Sequence, residues 1–249
     1  MYFSTDSTVE LNTIRTVNIS ESQAGGIDDK DQAVRNTIRY NWVEDINTCI
    51  RINSGYNSTG ERIYGNVCIA QQRGYPARPG IRFLVNITDL EAYNNTFYGF
   101  GQGALTEVGP ISNARLYNNI FANISTNNLE LYNFSSPTLR YNAYTPGRRF
   151  YFVGTNYSSL SAMQGGTGLE TGSAEVDCQF VSAGSDFHLR SGSPCAGAGR
   201  SSSGAAVDRG AYGVTSCVGR NCQPGAPPPP SGGGTPLAPS NLRIISSEE

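Results

Sequence analysis

The sequence has few of the residues on which many enzymes and nucleic-acid-binding proteins depend. Charged residues make up only 15% of its 249 residues, and histidine, lysine and tryptophan each occur once. With one histidine and no CxxC motif the chain has no zinc-ligand spacing, and it contains no P-loop or dinucleotide fingerprint. A net charge of −2 gives no basic balance that would indicate nucleic acid as a partner. No stretch is long and apolar enough to span a membrane.

Helical periodicity is also missing from nearly all of the chain. Glycine is abundant at 29 residues, and asparagine, serine and threonine are frequent. This composition disfavours helices and favours many short strands joined by tight turns. Only "YSSLSAMQGGTG" (157–168) predicts a single helical turn.

The cysteines point to disulfides rather than to metal binding. There are six, an even number: Cys49, Cys68, Cys178, Cys195, Cys217 and Cys222. Disulfides in an oxidising compartment are the better interpretation. Cys217 and Cys222 would close a small loop, and Cys49–Cys68 is the next pair that we expect. We expect a secreted or cell-surface protein, and because the opening "MYFSTDSTVELN" has no signal peptide, its leader would lie upstream.

A short phrase recurs through the first part of the chain. "IRTVN", "TIRYN", "RIYGN", "EAYNN", "RLYNN" and "TLRYN" are variants of it, and their final asparagines are Asn18, Asn41, Asn66, Asn95, Asn119 and Asn142. The intervals are 23, 25, 29, 24 and 23 residues, and the longest contains the loop-like "QQRGYPARPG" (71–80). Self-similarity at such a period indicates stacked coils.

Each phrase reads as a short strand that ends in a turn asparagine. The apolar positions are Ile14, Ile38, Ile63, Leu116 and Leu139. Asparagine suits the turn because it tolerates the left-handed conformation, and stacked asparagines can bond one another in a ladder. Most tyrosines fall at repeat positions, where stacking between coils explains them. Leucine is too sparse for a leucine-rich repeat. We therefore predict an all-β, right-handed parallel β-helix with about 24 residues per coil.

The end of the repeat carries a resemblance of its own. "DFHLRSGSPCAGAGRSSSGAAVDRGAYG" (186–213) resembles the closing stretch of secreted bacterial, pectate-lyase-like right-handed β-helix proteins, so we interpret His188 as structural. The β-helix and its closure are expected to span 1–222, followed by a Pro/Gly-rich linker at 223–236. The tail, 237–249, resembles the first strand of a truncated fibronectin type III-like module, and could equally pair with the solenoid.

A second resemblance suggests chemistry. The region "GIDDKDQAVRNTIRYN…CIRINSG…GNVCIAQQRGYPARPGIRF" resembles the polysaccharide lyases that include chondroitinase B and alginate lyases. The resemblance implies that Lys30 is the base and Arg51 the assisting acid of a β-elimination. It also places Arg73, and Arg82 of "PGIRF", among the substrate-binding residues. The alternative is that Lys30 and the arginines are strand residues on a solvated outer face.

Calcium and a tryptophan complete the candidate site. Removing a proton beside a uronate carboxylate requires that its negative charge be neutralised by arginine or Ca²⁺. Asp28, Asp29 and Asp31 could supply hard oxygen ligands, although four charges in "DDKD" are also typical of a solvated turn. Trp42 offers a flat face for sugar stacking, or wedges between coils.

Two classes of function follow from these features. The first is an extracellular carbohydrate-active protein that binds an acidic polysaccharide and, if it is an enzyme, cleaves it as a lyase by β-elimination. The second is a non-catalytic surface, adhesion or fibre-forming protein that self-associates through the ends of the β-helix. Since fold does not imply function, the residues must decide between them.

Overall fold

The computed structural model describes residues 4–15, 25–53, 57–70, 78–84, 86–107 and 109–219. This part of the chain is all-β, with many short strands, one α-helix and one 3₁₀ helix. None of its helices has the length and apolar character needed to cross a membrane. The predicted linker and tail lie outside the described residues.

The strands follow one another along the chain as short, repeating sets. The first eight are β1 (Thr8–Glu10), β2 (Thr13–Arg15), β3 (Gly25–Lys30), β4 (Thr37–Arg39), β5 (Trp42–Ile46), β6 (Thr48–Asn53), β7 (Ser58–Thr59) and β8 (Arg62–Tyr64). The next eight are β9 (Val67–Ala70), β10 (Ile81–Phe83), β11 (Ile87–Thr88), β12 (Glu91–Tyr93), β13 (Thr96–Tyr98), β14 (Gln102–Thr106), β15 (Ile111–Ser112) and β16 (Arg115–Tyr117).

The remaining strands complete the repeat and then close it. They are β17 (Ile120–Ala122), β18 (Asn127–Leu131), β19 (Phe134–Ser135), β20 (Thr138–Arg140), β21 (Ala143–Tyr144), β22 (Arg149–Phe152), β23 (Thr155–Tyr157), β24 (Ala174–Glu175), β25 (Phe180–Ser182), β26 (Asp186–Leu189), β27 (Gly199–Arg200) and β28 (Ala206–Val207). Helix α1 spans Leu160–Thr167, as the sequence predicted, and the 3₁₀ helix spans Ala211–Gly213.

Four larger sheets are visited in turn by each pass of the chain, which we call a coil. The first sheet has the order β1-β4-β8-β12-β16-β20, the second β2-β5-β9-β13-β17-β21-β24, the third β3-β6-β10-β14-β18-β22-β23 and the fourth β7-β11-β15-β19. Neighbouring strands are one coil apart and parallel, except for the antiparallel β22–β23 pair. This arrangement is consistent with a β-helix solenoid.

The predicted asparagine ladder is present at the corner between the first and second sheets. The side-chain amides of Asn41, Asn66, Asn95, Asn119 and Asn142 are buried. In each rung a backbone N–H and a side-chain Nδ2 donate to the Oδ1 of the asparagine one coil further on, at 2.9–3.2 Å. The ladder therefore satisfies buried polar groups that the tight corner would otherwise leave unpaired.

The first rung of the ladder is not where the sequence placed it. Asn12 donates to Asn41 through both its backbone N–H and its Nδ2, at 3.0 Å. The corresponding phrase is "TVELN", in which Val9 pairs with Ile38. Ile14 belongs instead to the second sheet, opposite Val43. Asn18, which the repeat alignment chose, lies outside the described residues.

At each corner the residue with the left-handed backbone conformation is the one before the ladder asparagine, and not the asparagine itself. Tyr40, Asn94, Asn118 and Tyr141 have φ between +50° and +57°, and Gly65 has φ +66°. The ladder asparagines have no positive φ. Asparagine is therefore favoured at this position by the hydrogen bonds that its side-chain amide makes between coils, and not because it tolerates the left-handed region.

The interior is packed by stacked side chains from successive coils. Phe97, Phe121 and Tyr144 stack with centroid spacings of 5.3 and 5.4 Å and nearly parallel rings. Gly103 lies against this stack, and a Cβ there would lie 2.6 Å from the Phe121 ring and 2.4 Å from a backbone oxygen. A side chain at this position would therefore have to displace the core.

The chain after the last coil closes the fold in two ways. The β22–β23 hairpin and α1 pack at the end of the core, and Leu160 and Met163 bury the apolar side of the helix. Residues 177–219, here called the closing segment, then run back along the outside of the coils. This segment bonds to Asn118 and Asn94, and its last described residue, Gly219, donates to the carbonyl of Tyr40.

Two disulfides brace the described structure. Cys49–Cys68 joins the third and second sheets, as predicted. Cys178–Cys195 lies within the closing segment. Cys217 is disulfide-bonded as well, and its predicted partner Cys222 lies outside the described residues.

Candidate functional site

The outer face of the third sheet brings together three of the residues that the sequence singled out. Side chains alternate between faces along a strand, and Ile27 and Asp29 of β3 are buried. Lys30 therefore lies on the outer face. The register places Arg51 and Arg82 next to each other on neighbouring strands of the same face.

Arg51 is held by a carboxylate from the previous coil. Asp28, its register partner, accepts from Nε of Arg51 at 2.7 Å and from the terminal Nη2 as well. Only 5% of the Arg51 side chain is exposed. The fork geometry fixes the guanidinium firmly, and the charge of Arg51 is largely neutralised before any ligand binds.

Arg82 is paired in the opposite direction along the sheet. Its Nη2 forms an ion pair with Glu107, which follows β14 one coil further on, and 11% of the Arg82 side chain is exposed. The Nε of Arg82 is buried, and no hydrogen-bond partner for it lies among the described residues. This face is therefore built from ion pairs between coils and does not present a purely cationic groove.

Further along the same face lies a group that the sequence did not predict. Glu130 accepts hydrogen bonds from Asn127 at 3.0 Å and from the hydroxyl of Tyr132 at 2.6 Å. Tyr132 is 38% exposed, and its ring lies 4.5 Å from that of Tyr151. The bond to Glu130 raises the pKa of Tyr132 to about 12. Aligning successive strands by their register would have identified this position, because Arg82, Leu105, Glu130 and Tyr151 are equivalent residues on neighbouring strands.

The three aspartates proposed for calcium do not share one face. Asp28 points outwards to Arg51, whereas Asp29 is buried and lies 3.0–3.2 Å from the Nδ2 of Asn36. Asp31 follows the end of β3 with φ +56°. In the described ranges no group of three or more histidine, cysteine or acidic side chains could hold a metal ion. The alternation of β3 keeps these carboxylates apart.

Asp29 forms a buried carboxyl pair with Glu61. Glu61 accepts from the backbone N–H of Asn36 at 3.1 Å through Oε2, while no conventional hydrogen-bond donor among the described residues reaches its Oε1. Burial, and then the charge of Asp29, raise the pKa of Glu61 to about 8. Burial also raises the pKa of Asp29. A shared proton between the two carboxyl groups explains how both can be buried side by side.

Trp42, another of the predicted substrate-binding residues, is not part of this face. Trp42 begins β5 in the second sheet, packs 5.9 Å from the ring of Phe187 in the closing segment, and donates to Glu44 at 2.6 Å. Arg73 lies outside the described residues. Trp42 is thus packed beneath the closing segment, away from Lys30 and Arg51.

His188 belongs to the closing segment, as the sequence suggested. Its Nδ1 lies 2.6 Å from Asp186, and its ring stacks on Tyr212 at 3.8 Å. Both contacts are within the closing segment, so His188 lies apart from the third-sheet face.

Comparison of the chain with protein-family models, with curated proteins and with solved structures gives no match. The residues themselves therefore carry the functional argument.

Proposed function

We propose that this chain is an extracellular right-handed parallel β-helix protein that binds a polysaccharide along the outer face of its third sheet. Four stacks of parallel strands support the solenoid, and crossovers between parallel strands are right-handed in about 98% of proteins. The disulfides Cys49–Cys68 and Cys178–Cys195 support an oxidising compartment. The outer face of a stacked parallel sheet is long and regular, which suits a linear polysaccharide with a regular repeat.

The side chains of the third-sheet face support carbohydrate as the ligand. Asp28, Arg51, Arg82 and Glu130 offer fixed charged donors and acceptors, while Tyr132 adds a partly exposed aromatic ring. Sugar hydroxyls bind to such side chains through hydrogen bonds, and the apolar side of a pyranose ring packs on aromatic carbon. Because the arginines are already paired, they are oriented in advance and lose little freedom on binding.

Cleavage by β-elimination is the catalytic form of this proposal. The observation that carries it is the common outer face of Lys30 and Arg51 on the adjacent strands β3 and β6. Lys30 would take the proton next to the uronate carboxylate, and the electron pair would form a double bond as the glycosidic bond breaks and the leaving oxygen takes a proton from water. Arg51 would stabilise the charge that develops on the carboxylate, in competition with Asp28. In this proposal Ca²⁺ takes part only if it arrives bound to the polysaccharide, where it would neutralise the uronate carboxylate.

An assay for the unsaturated product tests catalysis directly. The purified chain is incubated with polygalacturonate, alginate and chondroitin sulfate, with and without Ca²⁺, and ultraviolet absorbance of the new double bond is followed. Product with the wild type, and none with Lys30→Ala, is the expected result. Arg190→Gln, an exposed arginine of the closing segment that donates to Val181, serves as the matched control. Equal rates for Lys30→Ala and wild type would overturn the catalytic proposal.

A non-catalytic, self-associating protein is the second candidate. Within the described ranges, β1, β2 and β3 are end strands, each paired on one side only, and all three belong to the first coil. Unpaired strand edges promote association with other chains. Light scattering and electron microscopy would show concentration-dependent assembly if this candidate is right. A monomer at every concentration, with polysaccharide binding intact, would reject it in favour of the first.

A further inference from the structure

The outer face of the first sheet, opposite the third sheet across the core, carries a row of tyrosines. Tyr64, Tyr93 and Tyr117 are register partners on β8, β12 and β16. Their rings stack at 4.8 and 5.0 Å with interplanar angles of 8° and 3°. Each ring covers the face of the next, so the row presents ring edges and hydroxyl groups.

Arginines flank this row along one side and lie at both of its ends. Arg39 and Arg140 occupy the equivalent positions one coil before and one coil after the tyrosines, and Arg62 and Arg115 lie two residues before Tyr64 and Tyr117 on the same outer face. Arg62 and Arg115 are 61% and 48% exposed. Among the described residues two carboxylates share the face: Glu10, bonded to Arg39, and Glu91, between Arg62 and Arg115. Four arginines against two glutamates leave a positive strip on a chain whose net charge is −2.

Several donors of this strip are left without acceptors among the described residues. The hydroxyl of Tyr64 bonds to Arg39 at 2.9 Å, whereas no bond from a described residue reaches the hydroxyls of Tyr93 and Tyr117. Burial raises the pKa of both, so these hydroxyls stay protonated. Arg140 lies over the Tyr117 ring at 5.7 Å and forms no ion pair within the described ranges. A fixed row of such hydrogen-bond donors is suited to bind hydrogen-bond acceptors of a ligand.

The closing segment borders the strip along one side. It bonds to Asn94 and Asn118, which directly follow Tyr93 and Tyr117. Arg200 of this segment lies over the ring of Tyr141, next to Arg140, at 5.6 Å. The strip therefore lies beside a ridge that carries a further positive charge.

We propose that this tyrosine–arginine strip binds a linear acidic polysaccharide that runs across the strands. The strip spans four inter-strand steps from Arg39 to Arg140, about 19 Å at the usual strand spacing, and its hydroxyls repeat at nearly the length of one sugar in an extended chain. Carboxylates of the ligand would be bound by arginines, and its hydroxyl and ring oxygens by Tyr93 and Tyr117. Single-stranded nucleic acid fits less well because base stacking needs free ring faces, which the stack covers. The inference rests on the ligand class of the proposed function but assigns charge recognition to a different surface.

Affinity electrophoresis in gels that contain polygalacturonate tests this assignment, with dextran as the uncharged comparison and an oligothymidine gel as the nucleic-acid comparison. The test variant combines Tyr93→Phe, Tyr117→Phe and Arg140→Gln, which removes donors and leaves the ring stack in place. We expect it to bind polygalacturonate at least about tenfold more weakly than wild type, as expected for lost hydrogen bonds to charged groups. Arg190→Gln, with the same change of charge at another exposed position, should bind like wild type. Circular dichroism verifies the fold of each variant.

The third-sheet variant Lys30→Ala separates this inference from the proposed function. Weaker binding by the strip variant, with Lys30→Ala unchanged, supports the strip and removes the third sheet as the site of charge recognition. Unchanged binding by the strip variant, with weaker binding by Lys30→Ala, overturns the strip and retains the proposed function. Equal retardation by dextran, stronger retardation by oligothymidine, or no retardation by polygalacturonate overturns the strip.

Discussion

The buried pair Asp29 and Glu61 shows how much single residues contribute at the N-terminal end of the core. Both carboxyl groups are buried, both contact Asn36, and both have raised pKa values because burial disfavours their charged forms. Two carboxylates in contact can be accommodated when they share a proton. Losing that proton leaves two buried negative charges in contact, so the pair is a point where pH acts on stability.

We predict that the free energy of unfolding falls between about pH 5 and pH 8. The pKa of Glu61 is about 8 in the folded protein against an ordinary value of 4.5. In this window the folded state binds more protons than the unfolded state, so stability decreases as pH rises. Urea unfolding at a series of pH values measures the slope.

Glu61→Gln should flatten this pH dependence, because an amide cannot ionise. Asp89→Asn, which neutralises an exposed carboxylate, should leave the slope of the wild type unchanged. A Glu61→Gln protein with the full wild-type slope would show that the pair is not the source of the pH dependence.

The asparagine ladder is the clearest example at the scale of the element, because its amides all point the same way. The bonds between asparagines are all donated towards the C-terminal end, so the last rung, Asn142, needs acceptors outside the ladder in their place. Glu170 accepts from its Nδ2 at 3.2 Å, and Ser173 accepts from its backbone N–H at 2.8 Å. Glu170 also accepts from Tyr144 at 2.6 Å. The ladder is a row of aligned amide dipoles, and the buried carboxyl group of Glu170 lies at the positive end of that row.

Glu170→Ala should lower the free energy of unfolding by about 3 kcal/mol or more, because the buried donors of Asn142 and Tyr144 and the half-buried hydroxyl of Ser173 lose their acceptor. Glu170→Gln keeps an acceptor oxygen of nearly the same shape and should have a smaller effect. Chemical denaturation measures both. Equal stability of Glu170→Ala and wild type would mean that the ladder does not depend on this end group.

A rung in the middle of the ladder should be equally sensitive. Asn95 accepts from Asn66 and donates to Asn119 and to the carbonyl of Ile63. We expect Asn95→Ala to cost about 3 kcal/mol through unsatisfied buried groups. Asn86→Ala is the matched control, since Asn86 is exposed and its side-chain amide donates to Asn57, another exposed asparagine. A similar loss for both variants would contradict the structural role of the ladder.

The closing segment matters most at the scale of the whole molecule, because it covers the outer side of the second sheet. Val67, Ile69 and Ile120 of that sheet form one buried cluster with Phe180 and Phe187 of the segment. The second sheet is therefore apolar on both faces. Without the segment, this face would be a large exposed apolar patch and an aggregation hazard.

Phe187→Ala should destabilise the closing segment by about 3–5 kcal/mol. Phe187 is buried and contacts the rings of Trp42, Tyr98 and Phe180. Because Trp42 is the only tryptophan, its emission reports this contact, and we expect a red shift as water reaches the indole. Val181→Ala, at an exposed position of the same segment, should leave the emission unchanged. An unaltered spectrum in Phe187→Ala would contradict the packing described here.

Part of this molecule was predictable because local spacing repeats from coil to coil. The intervals of Asn41, Asn66, Asn95, Asn119 and Asn142 predicted the ladder and the parallel stacking. The first rung was missed because "IRTVN" resembles the later phrases more closely than "TVELN" does. The pairing of Arg51 was not predictable either, since its carboxylate comes from an adjacent coil and the sequence does not show which of several aspartates faces it.

The sequence by itself determined the all-β class through its composition, and the coil length and the ladder through residues that recur at a fixed interval. The Cys49–Cys68 pair was expected from the even number of cysteines and is present. Only the tertiary structure decided which side chains meet on one outer face and where the closing segment packs. Those choices depend on strand register and on contacts across more than a hundred residues, such as that of Asn94 with Gly210. A repeated interval in the sequence predicts contacts between neighbouring coils. The position of the closing segment depends instead on the shape and polarity of a surface that forms only when the coils have assembled.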